Sequence, residues 1–305
     1  MTAAVRFQEG RPRWSDEPDA TDDGPAVAAT ILTPDQLRDR EHGTPGRWVT
    51  VRTPDGGASV VRSAAWCGEC DMCTAGFRVH CRSMTTLGEA DTPGGLRTHL
   101  AVSQERLVPV PPELDAERAA FAEPVAAALH MSRLLTIQNQ PFITVLGDTL
   151  EAMLAAQVLS RLNASVRLLA EREHTLERAA KWGVRHRPVS EAGRRADQDI
   201  VVMASTEATP GMALALTFVR PRGTIVCTGN VGRLELDMRR VVAGELRLLG
   251  TEAGDVESGL AAILREEVDV ASLITHRCRM DRVEALMQAA ADPEAVAIVA
   301  QPPSG

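Results

Sequence analysis

Four of the six cysteines in this 305-residue chain lie in one short stretch, CGECDMCTAGFRVHC. Two, two and seven residues separate them. In a reducing compartment, closely spaced cysteines bind metal more often than they form disulfides. Four thiolates fill a tetrahedral zinc shell and leave no position for water or substrate. The pattern therefore predicts a structural Zn(II) site, which holds a loop and performs no chemistry, with the ligands Cys67, Cys70, Cys73 and Cys81.

Two other interpretations of this stretch remain. An iron–sulfur cluster is the main rival, but its bacterial pattern has a shorter last gap and a proline after the final cysteine, where this chain has Arg82. Four unrelated thiols are the remaining alternative. His80 lies inside the stretch, but four sulfurs already complete a zinc shell, so we interpret it as a surface histidine.

Composition limits the partners and the location. The formal net charge is −8, which disfavours a nucleic-acid partner, because binding to a phosphate backbone relies on clustered Lys and Arg. The first residues contain no apolar run typical of a signal peptide, and no later segment approaches the length of a membrane span. We therefore expect a cytoplasmic protein with no membrane partner. Its length suits two domains.

The second half of the chain alternates between strand and helix patterns. The apolar run PFITVLG reads as a strand, and the apolar residues that follow it have helical spacing. The runs SVRLLA, DIVVMAS and GTIVCTG read as further strands, separated by helical segments. This alternation predicts a doubly wound α/β fold with a parallel sheet. In such sheets a ligand lies beyond the carboxyl ends of the strands.

The first strand-to-helix turn reads GDTLEA. In a dinucleotide-binding turn three glycines occupy positions that here hold Gly147, Thr149 and Ala152. Thr149 adds a branched side chain where a phosphate would lie, whereas Ala152 is a mild change. Glu151 adds negative charge beside an anionic ligand. The turn therefore predicts impaired dinucleotide binding.

Polar residues also follow the later strands. Glu171 could accept the hydroxyls of an unphosphorylated ribose and Arg172 could bind a 2′-phosphate, while two solvated charges are the alternative. NAD and NADP are therefore not distinguished. Ser205, Thr206 and Thr228 end strands on the side where a cofactor would lie, although such hydroxyls commonly satisfy backbone groups.

The cysteine stretch is followed in order by GGLRTHLAVSQERLVPVPPEL, by AAFAEPVAAALH and by the strand–helix pattern. Over residues 45–300 this order resembles the zinc-containing alcohol dehydrogenases of the medium-chain dehydrogenase/reductase superfamily, in particular the sorbitol and threonine dehydrogenase-like branch. The resemblance implies a GroES-like β-rich domain over 1–138, completed by 272–305, and a Rossmann-like domain over 139–271. It also implies NAD or NADP as cofactor, a small-molecule substrate and a homo-oligomer.

The similar dehydrogenases carry a second, open zinc that polarises the alcohol oxygen. The resemblance places Leu32 at the position of its cysteine ligand and Asp35 at the matching aspartate, and the motif GHE is missing. His42 is the only histidine near that gap and reads as a solvated loop residue. Glu123 matches the third ligand. The catalytic zinc is therefore not expected, and Glu123 is the one remnant of its site.

Without a metal, a buried Glu123 would protonate or pair with a nearby cation, and His130 on the same helix is a candidate hydrogen-bond partner or an ordinary core histidine.

Two functions agree with these sequence features. One is a divergent oxidoreductase that transfers hydride to or from NAD(P) without a catalytic zinc. The other is a catalytically inactive pseudoenzyme that binds a ligand or partner. A zinc-lobe module that binds nucleic acid is disfavoured by the charge.

Overall fold

The computed structural model describes residues 2–17, 24–89, 92–163, 165–193, 195–204, 208–229 and 236–303, without the side chains of 208–210. The strands of this part of the chain are β1 (Thr2–Gln8), β2 (Arg11–Glu17), β3 (Val27–Leu32), β4 (Trp48–Arg52), β5 (Ala58–Val61), β6 (Ala64–Ala65), β7 (Thr85–Thr86), β8 (Leu107–Pro109), β9 (Ile143–Leu146), β10 (Val166–Ala170), β11 (Arg185–Pro188), β12 (Gln198–Met203), β13 (Val219–Thr228), β14 (Arg247–Thr251), β15 (Ile274–Arg279) and β16 (Ala297–Gln301). Its α-helices are α1 (Pro34–Arg38), α2 (Asp71–Thr74), α3 (Ala116–Ala119), α4 (Ala122–Leu134), α5 (Leu150–Leu162), α6 (Glu173–Lys181), α7 (Ala208–Phe218), α8 (Met238–Ala243), α9 (Val256–Leu264) and α10 (Val283–Ala291).

The chain divides into two units. The first comprises Met1–Glu123, Leu260–Arg265 and Val270–Gly305, and the second comprises Pro124–Gly259 and Glu266–Asp269. No helix in the described ranges combines the length and the apolar character that a bilayer crossing requires.

The first unit is built on a six-stranded sheet in the order β15-β16-β3-β4-β5-β8. Its neighbours are antiparallel except for the pair β15–β16. Every residue of β3 (VAATIL) is buried, and all but Thr30 are apolar, so the strand lies inside the unit rather than on a half-exposed face. Leu32 packs in the same apolar cluster as Phe7 and Val49.

The second unit holds a parallel six-stranded sheet in the order β11-β10-β9-β12-β13-β14. Counted along the chain, this is the order 3-2-1-4-5-6 of dinucleotide-binding sheets. Val145 packs with α5 on one face, and the adjacent Leu146 packs with α7 on the other. The predicted doubly wound α/β fold is confirmed. The strand order reverses between β9 and β12, where such sheets place their ligand.

Candidate functional site

The sulfur atoms of the four clustered cysteines meet between β6 and β7. All four lie within 4.8 Å of one another, with 3.5 Å between Cys81 and Cys67 and 3.9 Å between Cys70 and Cys81. In a tetrahedral site with Zn–S distances of about 2.3 Å, the sulfurs are about 3.8 Å apart. A single ion could therefore contact the sulfurs of Cys67, Cys70, Cys73 and Cys81.

Backbone amides of this lobe, residues 66–84, donate hydrogen bonds to two of the cysteine sulfurs. The amide of Cys67 donates to the sulfur of Cys81 at 3.3 Å, and the amide of Cys70 donates to the sulfur of Cys67 at 3.4 Å. Hydrogen bonds from the backbone, first of all from Arg82, lower the pKa of Cys70 to about 6. Burial raises the pKa of Cys73 to about 12. A metal that binds all four sulfurs must therefore displace at least the proton of Cys73.

Glu123, in the first turn of α4, lies outside this lobe. Its Oε1 atom accepts a hydrogen bond from the amide of Ser63 at 2.8 Å. Its Oε2 atom is sealed from solvent and has no hydrogen-bond partner among the described residues, although the residue as a whole is partly exposed. Burial raises the pKa of Glu123, against the Ser63 bonds and the positive charges of Arg47 and Arg106. The hydrogen bond thus goes to Ser63 rather than to His130.

The other positions that the resemblance assigns to a catalytic zinc do not form a ligand set. Leu32 is fully buried in the apolar core, and the carboxylate of Asp35 pairs with Arg38 at 3.0 Å. Within the described ranges, the four cysteines are the only cluster of at least three potential metal ligands. Glu123 therefore offers a single carboxylate beside two guanidinium groups, whose charges repel a divalent cation. These residues do not fit a catalytic ion.

A short loop joins α1 to β4 where the resemblance places the missing motif. Arg40 donates to the carbonyl oxygens of His42 at 2.6 Å and Thr44 at 3.4 Å, and also to that of Gly88. His42 is exposed. One arginine side chain thus closes the shortened loop against the segment that follows β7.

In the turn after β9, the side chain of Thr149 forms hydrogen bonds with the backbone of the chain itself. Gly147 has a φ of 130°, in the region that favours glycine. Thr149 has a φ of −85°, which a branched residue adopts without strain, and caps α5 by accepting from the amide of Ala152 at 3.2 Å. Its hydroxyl donates to the carbonyl of Ala204 at 2.7 Å. Thr149 therefore links the ends of β9 and β12 at the reversal point of the sheet.

Asp148 was not identified from the sequence. Its carboxylate accepts hydrogen bonds from the amides of Glu171 at 2.9 Å and Arg172 at 3.0 Å. These amides follow β10, where dinucleotide-binding sheets recognise the adenine ribose. The only sequence signal was an Asp beside the turn glycine, and its partners lie more than twenty residues away. The carboxylate of Asp148 thus already accepts hydrogen bonds from two backbone amides at this edge of the sheet.

A second carboxylate lies near the end of β13. A Cβ atom placed on Gly229 would be 3.1 Å from the Cγ atom of Glu151, so the Glu151 side chain approaches this strand end. Thr228 is buried at the end of β13, where it pairs with Thr251 of β14. Strand β12 lies between β13 and β9. The structure thus brings Gly147, Thr149, Glu171 and Arg172 to neighbouring strand ends and places Thr228 farther along the edge. Ser205 and Thr206 lie outside the described residues.

A dinucleotide-type parallel sheet in one unit and a four-cysteine lobe in the other are the two features to compare with known proteins. No family model matches the chain. A 2-dehydro-3-deoxy-L-galactonate 5-dehydrogenase of Pseudoalteromonas atlantica is 26% identical over 71% of this chain and 67% of its own length. An L-threonine 3-dehydrogenase of Mesorhizobium japonicum is 27% identical over 70% and 66%, and a sorbitol dehydrogenase of Halalkalibacterium halodurans is 23% identical over 77% and 73%. The match thus spans about two thirds of the length of most of these relatives.

Solved structures share the fold over nearly the whole chain. L-idonate 5-dehydrogenase from Escherichia coli has a TM-score of 0.86 at 17% identity and covers 98% of both chains. A zinc-binding protein of Sinorhizobium meliloti 1021, solved with NADP, has a TM-score of 0.82 at 20% identity and covers 99% of both. The chain is thus similar, in sequence and in fold, to zinc-containing dehydrogenases of the medium-chain dehydrogenase/reductase type.

Proposed function

We propose that this chain is a zinc-stabilised pseudoenzyme, which does not perform the zinc-dependent alcohol dehydrogenation of the related enzymes. One observation carries the proposal. Glu123 accepts a hydrogen bond from the amide of Ser63 and is subject to the charges of Arg47 and Arg106, and the core residue Leu32 occupies the position of a thiolate ligand. A catalytic zinc needs three protein ligands and an open position, and here one carboxylate is left.

The zinc of the proposed function is bound by Cys67, Cys70, Cys73 and Cys81. The separations of their sulfurs suit a tetrahedral shell, and the amides of the lobe already donate to two of the sulfurs. Bound there, zinc stabilises the lobe and has no open position for a substrate oxygen. We assign this role to the domain over 1–138 and 272–305.

For the domain over 139–271 we propose a binding role without hydride transfer, for a small molecule or another protein. The support is the edge of its sheet, where Thr149 and Asp148 bond to the chain itself and Glu151 adds negative charge. A dinucleotide would have to displace these contacts and overcome repulsion between carboxylates and phosphates.

The second candidate is an NAD(P)-dependent oxidoreductase that works without a catalytic zinc. The dinucleotide-type strand order of the second unit favours it, as does the binding of NADP and NADH by structurally similar proteins. Hydride transfer itself does not require a metal when protein side chains polarise the substrate.

Metal analysis together with titration of NADH and NADPH separates these functions. The pseudoenzyme should hold one zinc per chain, give no cofactor signal at millimolar concentration and oxidise neither L-threonine nor sorbitol. One zinc with micromolar cofactor affinity would favour the metal-free oxidoreductase. Two zincs with micromolar affinity would refute the loss of the catalytic metal.

A further inference from the structure

The lobe is a long loop on a narrow base. Its two flanking strands, β6 and β7, pair only through Ala64 with Thr86 and Ala65 with Thr85. A two-stranded ladder of this size is marginal by itself in water. The next contact below it is the hydrogen bond from the Leu87 amide to the Ser63 carbonyl at 3.0 Å. The orientation of the lobe therefore depends on what fixes Ser63.

Ser63 is buried and receives contacts from three side chains. Its amide donates to Glu123, as described, and its carbonyl accepts from Arg106 Nη2 at 2.9 Å. Its hydroxyl accepts from Arg47 Nε at 3.3 Å. Every hydrogen-bonding group of Ser63 is therefore engaged, and Glu123 is the only one of these side chains that binds the Ser63 amide.

The same three side chains interact with one another. The positive charges of Arg47 and Arg106 both favour the ionised form of Glu123. Arg106 also donates to the carbonyl of Arg62 at 2.9 Å, and Arg47 pairs with Glu89 at 3.2 Å on the segment that leaves the lobe. Arg47 and Arg106, which both act on Glu123, thus contact the chain on both sides of the lobe.

We infer that Glu123 is a positioning residue for the four-cysteine lobe, which it holds through the amide of Ser63. Ser63 lies four residues before Cys67, so a shift of its backbone is transmitted directly to the first metal ligand. The carboxylate that matches a catalytic ligand in the related enzymes acts here as an anchor for the structural site. The metal-release part of this inference rests on the proposed zinc site.

Three substitutions in the full chain separate the geometry from the charge. Glu123→Ala removes the acceptor. Glu123→Asp keeps the charge but withdraws the acceptor by one methylene, and Glu123→Gln keeps the acceptor and loses the charge. Glu113→Ala, at an exposed glutamate of the same unit, is the matched control.

Two measurements report whether the lobe is held less firmly. One is hydrogen exchange in residues 63–67 and 85–89, and the other is the rate of zinc release to a chromogenic chelator. Glu123→Ala and Glu123→Asp should exchange faster in these segments and release zinc about tenfold faster, as expected for loss of one buried hydrogen bond. Glu123→Gln should stay close to wild type. If Glu123→Ala and Glu113→Ala behave alike in both measurements, the inference is wrong. A wild-type chain without zinc would refute the metal site alone, since the exchange measurement still tests the anchor.

Discussion

The hydroxyl of Thr149 donates a hydrogen bond to the carbonyl of Ala204 at 2.7 Å, and so joins the first turn of the parallel sheet to the end of its fourth strand. A dinucleotide-binding sheet normally has a glycine at this turn position, so that phosphate can approach the backbone. In this chain Thr149 stands at that position, and its side chain forms a hydrogen bond within the protein. The reversal point of the sheet is thus stabilised without a ligand.

Replacing Thr149 with Gly should therefore destabilise the protein and open the turn. Loss of the bond to Ala204 and of the cap on α5 should lower the free energy of unfolding by about 1 to 2 kcal/mol. NADH affinity should rise, because the backbone becomes accessible. Urea unfolding and calorimetric titration measure the two effects. Thr149→Ser keeps the hydroxyl and should match wild type; equal stability of the Gly variant would contradict this account.

Substitution of Asp148 should expose the amides of Glu171 and Arg172. In Asp148→Ala these two amides lose a charged acceptor, so their hydrogen exchange should accelerate and unfolding should become easier by about 1 to 3 kcal/mol. Asp148→Asn retains one acceptor oxygen and should fall between the Ala variant and wild type. Unchanged exchange at both amides in Asp148→Ala would show that the carboxylate does not hold them in solution.

Cys70→Ser should abolish metal binding in the lobe. A structural zinc site contributes its binding free energy to folding, so the variant should melt at a lower temperature than the zinc-loaded wild type. A strong chelator should lower the melting temperature of wild type and leave that of the variant nearly unchanged. Cys227→Ser, at a half-buried cysteine of β13, should retain the metal. A Cys70→Ser variant with full metal content would mean that the thiol of Cys70 is not a ligand.

Glu123 should give the protein a measurable pH dependence. Because its pKa is raised on folding, the folded chain keeps this proton at pH values where the unfolded chain has lost it. Its contribution to stability is therefore complete below the unfolded pKa of about 4.3 and is lost as pH rises through the folded pKa. The stability of Glu123→Gln relative to wild type should thus increase with pH above about 4. Urea unfolding at several pH values tests this, with Glu113→Gln as the control, and a difference independent of pH would argue against it.

Local patterns were enough to predict several parts of the molecule. The strand–helix alternation predicted the parallel sheet because each strand is a short buried run, and the spacing of the cysteines predicted their cluster because the loop is short. The contacts of Glu123 were harder to foresee. Ser63 is sixty residues away in sequence, and nothing near Glu123 indicates the arginines that approach it.

The turn after β9 shows the same limit. The sequence indicated that Thr149 would obstruct a phosphate, but its bond to Ala204 depends on the pairing of β9 with β12. Asp148 was missed because its partners follow a different strand. In both places the sequence shows the type of residue in the turn but does not indicate its hydrogen-bond partner, which is distant in sequence.

The hydrogen bonds from Arg40 to the carbonyls of His42, Thr44 and Gly88 affect how this chain could evolve. On the proposed function, zinc-dependent alcohol oxidation would need an inserted histidine-bearing segment, a thiol in place of Leu32 and displacement of the Arg40 side chain. Selection of single substitutions for zinc-dependent turnover should therefore fail, because no one substitution supplies all three changes.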